Sequence, residues 1–166
     1  EKRARELSIP FIYFPTPRGK KEHQKIVMDL QAEYVFLSGC LWLAKGLDPA
    51  RTINIHPGPL PQFGGRGLYG MHVHEAVLAA YKRGEVKEST VCMHFVTELY
   101  DEGPIFFRKS VPIHADDTAE SLGARVHDAE RTWQPYISNL VVTGEISWDG
   151  NDPASLGVPK WYSICM

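Results

Sequence analysis

The chain has 166 residues, of which 43% are hydrophobic and 23% charged, and its formal net charge is −2 at pH 7. These fractions are typical of a globular domain and exclude intrinsic disorder, a collagen-like repeat and a coiled coil. The small net charge, without blocks of like charge, argues against nucleic acid or a membrane surface as a partner. No apolar run approaches the roughly 18 residues of a membrane-spanning helix. We expect one domain over residues 1–166, with an irregular tail from about residue 144.

The three cysteines, Cys40, Cys92 and Cys165, are far apart and form no C-x-x-C pair. This spacing supports neither a disulfide framework nor a zinc site, and it predicts buried free thiols in a reducing cytoplasm. We therefore expect a cytoplasmic protein.

Helical and strand-like patterns alternate along the chain. Residues 1–7 have the spacing of the last turns of an amphipathic helix, and residues 20–30 and 71–83 that of complete helices. Apolar or β-rich runs predict strands at 10–14, 34–37, 53–56, 89–96 and 105–111. This alternation predicts an α/β fold, and the unbroken apolar runs suit a parallel sheet that is covered on both faces.

The last long helix is predicted to begin near Asp117. Asp117 as the N-cap, with Glu120 three residues later, fits a capping box. Pro135 should kink this helix or restart it, because proline cannot donate the backbone hydrogen bond and its ring clashes with the preceding turn.

Asn54 and His56 are the first candidates for chemistry. Residues two apart in a strand point the same way, and Pro57 ends this strand directly after His56. An amide beside an imidazole suits an oxyanion that forms while a proton moves. By itself, however, an N-x-H triplet more often has only a structural role, in which its side chains stabilise a turn.

Asp101 lies in a Gly-Pro loop after a predicted strand. Such an acid is usually a solvated turn residue. It could instead orient an imidazole and raise the pKa of that base.

The remaining histidines predict no metal site. His72 and His74 begin a helix, where the helical period points their rings in different directions, and we interpret them as structural. His94 alternates within a strand, and we expect a packed or hydrogen-bonded core residue. The glycine-rich loop Gly64–Gly70 favours equally a mobile lid and an anion cradle formed by backbone amides and Arg66.

Taken together, these segments resemble the formyltransferases that use 10-formyltetrahydrofolate. The motifs that carry the resemblance are Asn54-Ile55-His56-Pro57, Leu60-Pro61, the helix with His72 and His74, His94-Phe95-Val96-Thr97, Asp101-x-Gly103-Pro104 and Ala124-Arg125-Val126. The resemblance covers about residues 1–149. It implies a three-layer, Rossmann-like fold with a mostly parallel central sheet.

The resemblance also implies site residues and a reaction. Asn54, His56 and Asp101 match the catalytic trio of a direct formyl transfer, with 10-formyltetrahydrofolate as the co-substrate and no metal. Asn54 and a protonated His56 would hold the oxyanion, while Asp101 supports His56 and a water that relays the proton. The segments matching the walls of the folate site contain Leu41, Trp42, Leu43, Val96, Thr97, Glu98 and Tyr100, with Trp42 where the family often has arginine.

For the acceptor, the resemblance implies Glu130 and Pro57. Glu130 matches an acid that binds a ribose, which favours glycinamide ribonucleotide and hence purine biosynthesis. A formyltetrahydrofolate deformylase, a methionyl-tRNA or sugar-amine formyltransferase, and a catalytically silent folate-binding module stay open. The partners expected are small molecules, with no nucleic acid and no membrane, and a homodimer is left open.

The sequence departs from the family at two places. The loop Gly64–Gly70 is longer than in the commonest members, and no segment matches the family's opening strand, its glycine-rich phosphate-binding turn or the strand after it. We therefore expect an N-terminally truncated sheet, in which the strand at 34–37 has an exposed apolar edge.

Overall fold

Four strands form one mixed sheet in the computed structural model, which describes residues 1–14, 16 and 18–164. The strands are β1 (Val35–Leu37), β2 (Thr52–His56), β3 (Glu88–Phe95) and β4 (Ile105–Pro112), in the order β1-β2-β3-β4. β1 and β2 pair in parallel, whereas β2–β3 and β3–β4 are antiparallel. The predicted α/β class is confirmed. The expectation of a mostly parallel sheet is wrong for the described strands, because the short connection after β3 lets β4 return as its antiparallel neighbour.

Four α-helices accompany the sheet: α1 (Lys2–Glu6), α2 (Lys20–Asp29), α3 (Met71–Lys82) and α4 (Ala119–Val142). Each lies within or close to a predicted helix. Short 3₁₀ helices are found at Pro49–Arg51, Pro153–Ser155 and Lys160–Ile164. No helix in the described part of the chain is long and apolar enough to cross a membrane.

The core forms where α3 and α4 pack on each other and α4 packs on β3 and β4. Alternate residues of β2, Ile53 and Ile55, point into it, as do Met93 and Phe95 of β3. The segment from residue 144 has no α-helix among its described residues, yet it buries Trp148, whose ring packs against Phe95. Fixing the core side of β2 in this way leaves its other residues to face the opposite side of the sheet.

Residues 10–14 do not form the predicted strand. The segment has no regular secondary structure, and Phe11, Ile12 and Tyr13 are exposed. An apolar run becomes a strand only where a neighbour accepts its backbone hydrogen bonds, and no described strand lies beside this one.

The start of α4 differs from the predicted capping box. Thr118 is the N-cap: its Oγ1 accepts from the Ser121 N–H, and the Ser121 Oγ accepts from the Thr118 N–H. Asp117 instead accepts two hydrogen bonds, each 2.8 Å long, from the guanidinium of Arg125. These bonds hold the pKa of Asp117 well below its usual range, although burial opposes them. Pro135 does not restart the helix, which continues to Val142.

β1 is the outer strand of the described sheet, and Phe36 at its centre is 36% exposed. The expected apolar edge is therefore confirmed for the described strands. Cys92 is buried as predicted, Cys40 is only partly buried, and Cys165 lies outside the described residues.

Candidate active site

The carboxyl end of β2 carries two polar residues on the face opposite the core. Asn54 and His56 alternate with the buried Ile53 and Ile55, and Pro57 follows immediately. The strand period predicted this common direction. Both side chains line one cleft, and His56 is only 4% exposed.

One nitrogen of the His56 ring is hydrogen-bonded, and the other lies near a carboxylate. Its Nε2 lies 2.8 Å from the carbonyl oxygen of Phe63, and its Nδ1 lies 3.8 Å from Asp101 Oδ2. Because a carbonyl oxygen can only accept, Nε2 carries the proton and donates it to Phe63. The Nδ1 side of the ring therefore faces the carboxylate of Asp101.

The pKa of His56 is lowered from its ordinary value. Burial is the largest cause and lowers the pKa of His56, and His94 lowers it further. The charge of Asp101 and the hydrogen bond to Phe63 raise this pKa, but they do not cancel the effect of burial. The hypothesis that a nearby carboxylate would raise the pKa of the base is therefore wrong in its net direction. A neutral His56 is the favoured form near neutral pH.

Asp101 is placed by an unusual backbone conformation in the loop between β3 and β4. Its φ is 54°, in the left-handed region that aspartate tolerates better than most residues. The carboxylate accepts a 2.9 Å hydrogen bond from the Gly65 N–H at Oδ2, and Oδ1 lies 3.4 Å from His94 Nε2. Burial raises the pKa of Asp101, but His94, Gly65 and His56 together outweigh it, and the net shift is downward. The group is a carboxylate at neutral pH.

His94 joins Asn54 to Asp101. It pairs directly with Asn54 across the β2–β3 ladder, and the side-chain nitrogens Asn54 Nδ2 and His94 Nε2 are 3.1 Å apart. His94 Nδ1 donates to the Phe95 carbonyl oxygen at 2.8 Å, so in the neutral ring Nε2 accepts one N–H of Asn54. The other N–H of Asn54 is left for the cleft. His94 is buried and hydrogen-bonded as predicted, and its contact with both predicted catalytic residues is the part that sequence reasoning missed.

The cleft around this group contains most of the residues predicted for substrate binding. Those that line it are Leu41, Trp42, Leu43, Val96, Tyr100, Pro57 and Glu130, together with Asn54, His56 and Asp101. It encloses about 130 Å³, less than the roughly 300–1,000 Å³ of typical small-molecule sites. Residues of the glycine-rich loop, among them Gly65 and Tyr69, form part of its wall. Outward movement of that loop would therefore enlarge the cleft.

Thr97 and Glu98 are not among the lining residues. Thr97 Oγ1 closes a local turn with the backbone of Leu99, and Glu98 Oε1 accepts from the Gly46 N–H at 3.3 Å. A second cross-link has the hydroxyl of Tyr100 accepting from the Leu43 N–H at 3.1 Å. These bonds tie the 39–48 segment to the loop after β3, so the two predicted walls face each other.

The loop Gly64–Gly70 was predicted to be either a lid or an anion cradle. In this structure the backbone around Phe63 and Gly65 binds His56 and Asp101, which places the loop directly on the polar group. Arg66 is exposed and has no part in these bonds. The arrangement favours the lid.

His72 and His74 point in different directions, as predicted. His72 is exposed and pairs with Glu75, whereas His74 is buried against α4. Within the described residues, no group of three or more His, Cys, Asp and Glu side chains could hold a metal ion.

The sequence also gave no role to His127. Its Nδ1 lies 2.7 Å from Glu130 Oε2, and both residues line the cleft. The three-residue spacing on a helix was the available signal, since residues at i and i+3 are neighbours on the helix surface.

The fold and the site define an α/β protein in which a buried imidazole and a partly buried amide and carboxylate line one largely apolar cleft. The family model described as "Formyl transferase" matches residues 3–137, and the chain belongs to that family. The match includes both motifs and the sheet that carries them.

Individual relatives agree with this assignment. The chain is 36% identical over 159 residues to a chloroplastic phosphoribosylglycinamide formyltransferase of Vigna unguiculata. The aligned region covers 87% of this chain and 48% of the relative. The corresponding Arabidopsis thaliana protein is 34% identical, with 87% and 52% covered. The chain thus spans about half the length of these curated relatives.

A solved structure extends the comparison to the fold. The chain is similar to glycinamide ribonucleotide transformylase 1 from Symbiobacterium toebii, with a TM-score of 0.76, 28% identity, and 95% of this chain and 73% of that chain covered. A formyltetrahydrofolate deformylase from Pseudomonas syringae is 23% identical with a TM-score of 0.68, which shows a shared fold. The predicted Rossmann-like formyltransferase fold is confirmed.

Proposed function

We propose that this protein transfers the formyl group of 10-formyltetrahydrofolate to the amine of glycinamide ribonucleotide, a step of purine biosynthesis. The observation that carries the proposal is the convergence of Asn54, His56 and Asp101 at one end of the cleft. The names of the relatives supply the acceptor, and the formyl donor is the one that the family resemblance implies.

In this reaction the acceptor nitrogen attacks the formyl carbon, a C–N bond forms, and the carbonyl electron pair moves to oxygen. Collapse of the tetrahedral intermediate re-forms the carbonyl and breaks the bond to N10 of the folate. The proton lost by the amine ends on N10, so the overall transfer balances. The demanding features are the oxyanion and the proton movement.

Asn54 fits the oxyanion. One of its N–H groups is held by His94, which fixes the amide plane, and the other faces the cleft. A pre-oriented donor of this kind typically contributes ~2.7–4 kcal/mol to the transition state.

His56 would add a second donor. Its lowered pKa favours a neutral ring, so the donor is an Nε2–H and not the imidazolium implied by the family resemblance. That N–H is bound to Phe63 in this structure, and a substrate oxyanion would have to replace the carbonyl of Phe63.

Asp101 would receive the amine proton through a water and return it to N10. Its net pKa shift is downward, so the carboxylate is available as an acceptor, and the Gly65 N–H holds it in place. The apolar walls at Leu41–Leu43 and Val96–Tyr100 support binding of a flat pterin, with Thr97 and Glu98 acting through loop structure. Glu130 and Pro57 line the same cleft and are the residues proposed to bind glycinamide ribonucleotide.

The decisive assay measures products from 10-formyltetrahydrofolate with and without glycinamide ribonucleotide, using the protein as its gene encodes it. We expect formylated acceptor in proportion to tetrahydrofolate, and little formate when the acceptor is omitted. Equal formate release without the acceptor would identify a deformylase. Binding of a folate analogue without turnover would identify a silent binding module.

We further propose that residues 1–166 belong to one catalytic domain, because a single buried cluster joins residues of β2, β3 and β4 to α3 and α4. The proposed partners are small molecules. A cytoplasmic location is kept as a proposal, to be checked by cell fractionation, since the plant relatives are named chloroplastic.

A further inference from the structure

His127 stands at the rim of the cleft and has no role in the proposed transfer. It lies on α4, one turn before Glu130, whereas the trio lies on β2 and in the loop after β3. The imidazole Nδ1 is 2.7 Å from Glu130 Oε2; the His127 side chain is 56% exposed and that of Glu130 14%. The pair therefore combines a sheltered carboxylate with an accessible imidazole.

The His127 ring is also supported from below. The buried His74 ring packs against it in a T-shaped arrangement, with a centroid distance of 6.1 Å and an interplanar angle of 79°. His74 fits there because residue 123 is glycine: a Cβ at Gly123 would lie 3.0 Å from His74 Cδ2. Burial, then the charges of His127 and His56, lower the pKa of His74 to about 4. The supporting ring is therefore neutral near neutral pH.

In the hydrogen bond between His127 and Glu130, the imidazole is the donor. A carboxylate oxygen only accepts, so His127 Nδ1–H is the donor whether the ring is neutral or charged. This bond occupies Oε2 and leaves Glu130 Oε1 and His127 Nε2; neither atom has a hydrogen-bond partner within residues 1–14, 16 and 18–164. An ordered carboxylate with one free oxygen is suited to accept from the hydroxyl groups of a sugar.

We propose that His127 is a positioning residue for the acceptor: by holding Oε2 of Glu130 it fixes the carboxylate so that Oε1 receives a sugar hydroxyl. The inference rests on the proposed function and deepens it. It assigns His127 to the binding of the acceptor and not to the formyl transfer itself, because the ring lies on a different element from the trio.

The test compares His127→Leu, which keeps an apolar side chain against His74 but has no donor, with His127→Gln, whose amide can still donate to Glu130. Arg131→Ala is the matched control, since this residue is exposed on the same helix and pairs with Asp128. Steady-state kinetics and calorimetry with glycinamide ribonucleotide give KM, kcat and Kd.

For His127→Leu we expect the KM and Kd for glycinamide ribonucleotide to rise about tenfold, as for loss of a hydrogen bond to a charged group. The kcat and the KM for 10-formyltetrahydrofolate should change less than about twofold, because a uniform binding contribution is lost. His127→Gln should recover most of the affinity. His127→Leu combined with Glu130→Ala should be no worse than Glu130→Ala alone, because His127 has nothing to position once the carboxylate is gone.

An unchanged acceptor KM in His127→Leu, a loss confined to kcat, or additive effects in the double variant would overturn the proposal. Calorimetry distinguishes a failure of this proposal from a failure of the proposed function, because the Kd of the wild-type protein for the acceptor can be measured even without turnover. Wild-type binding that weakens in His127→Leu supports the role of His127 even then, and no wild-type binding refutes it. If His127→Leu does not fold, His127→Ala and His127→Gln provide the same comparison.

Discussion

The imidazole of His56 donates its Nε2 proton to the carbonyl oxygen of Phe63 across 2.8 Å. The same stretch of backbone binds Asp101 through the Gly65 N–H. One loop therefore holds two members of the trio, and the donor proposed for the oxyanion becomes available only when the bond to Phe63 breaks. The state of this hydrogen bond links the position of the loop to the chemistry of the site.

The first prediction concerns the tautomer of His56. In the ligand-free protein we expect the neutral Nε2–H form near pH 7, because the Phe63 carbonyl can only accept. Nitrogen-15 NMR of labelled histidine distinguishes the two tautomers. A folate analogue added together with glycinamide ribonucleotide should shift the Nε2 resonance as Phe63 is displaced. A dominant Nδ1–H tautomer in the free protein would contradict the assignment.

The second prediction concerns the pKa of His56. The charge of Asp101 raises this pKa and burial lowers it more, so Asp101→Asn should lower it further because the nearby negative charge is removed. An NMR titration of the His56 Cε1 proton measures the change. Glu102→Gln, at the exposed neighbouring acid, is the control and should leave the value unchanged. A rise in Asp101→Asn would show that the charge of Asp101 does not raise the pKa of His56.

The third prediction concerns turnover. His56→Ala and Asp101→Asn should each reduce kcat about a hundredfold or more, the usual effect of removing a positioned proton-transfer group or oxyanion donor. Asn is chosen at position 101 because it tolerates the left-handed backbone and can still accept from Gly65. Circular dichroism and thermal melting verify folding. Near-normal kcat in a folded variant of either residue would remove that residue from the mechanism.

The sequence allowed the carboxyl end of β2 and the shared direction of Asn54 and His56 to be predicted, because they follow from proline as a stop and from strand alternation. It did not allow the role of His94 to be predicted. That role depends on β3 lying antiparallel to β2 with His94 opposite Asn54, a register set by long-range pairing.

Two further errors have the same origin. Residues 10–14 have strand-like composition, but a strand also requires a partner that the segment itself cannot supply. The pKa of His56 was predicted from the charge of one neighbour, whereas the net direction depends on how deeply the whole fold buries the ring. The chemical type of a residue and its local pattern can be read from the sequence, whereas its burial and its cross-strand partner depend on the folded structure.

The fourth prediction concerns the stability cost of replacing Gly103, the glycine of the Asp101-x-Gly103-Pro104 motif. A Cβ at Gly103 would lie 1.8 Å from the carbonyl oxygen of Phe95, so Gly103→Ala must displace backbone where β3 enters the loop. We expect a loss of several kcal/mol of unfolding free energy, at the upper end for single substitutions (about 4 kcal/mol or more). Gly84→Ala, with a φ of 76° in open space, should cost only about 1 kcal/mol. Urea denaturation compares the two, and equal losses would contradict the steric explanation.

The fifth prediction uses the buried ring of His74. Its pKa is lowered to about 4 in the folded protein from an ordinary value of 6.5, so between these values the unfolded chain binds the proton more tightly. Folding stability should therefore be at its full value above pH 6.5 and fall as the pH drops toward 4, by on the order of 3 kcal/mol from this group.

The matched variants for this test are His74→Phe and His72→Phe, one buried and one exposed position on the same helix. Urea denaturation at several pH values should give a shallower acid slope for His74→Phe than for the wild type, whatever the effect of the larger ring at neutral pH. His72→Phe should keep the wild-type slope, because the His72 side chain is exposed in the folded protein. Parallel curves for all three proteins would show that His74 does not bury a neutral imidazole.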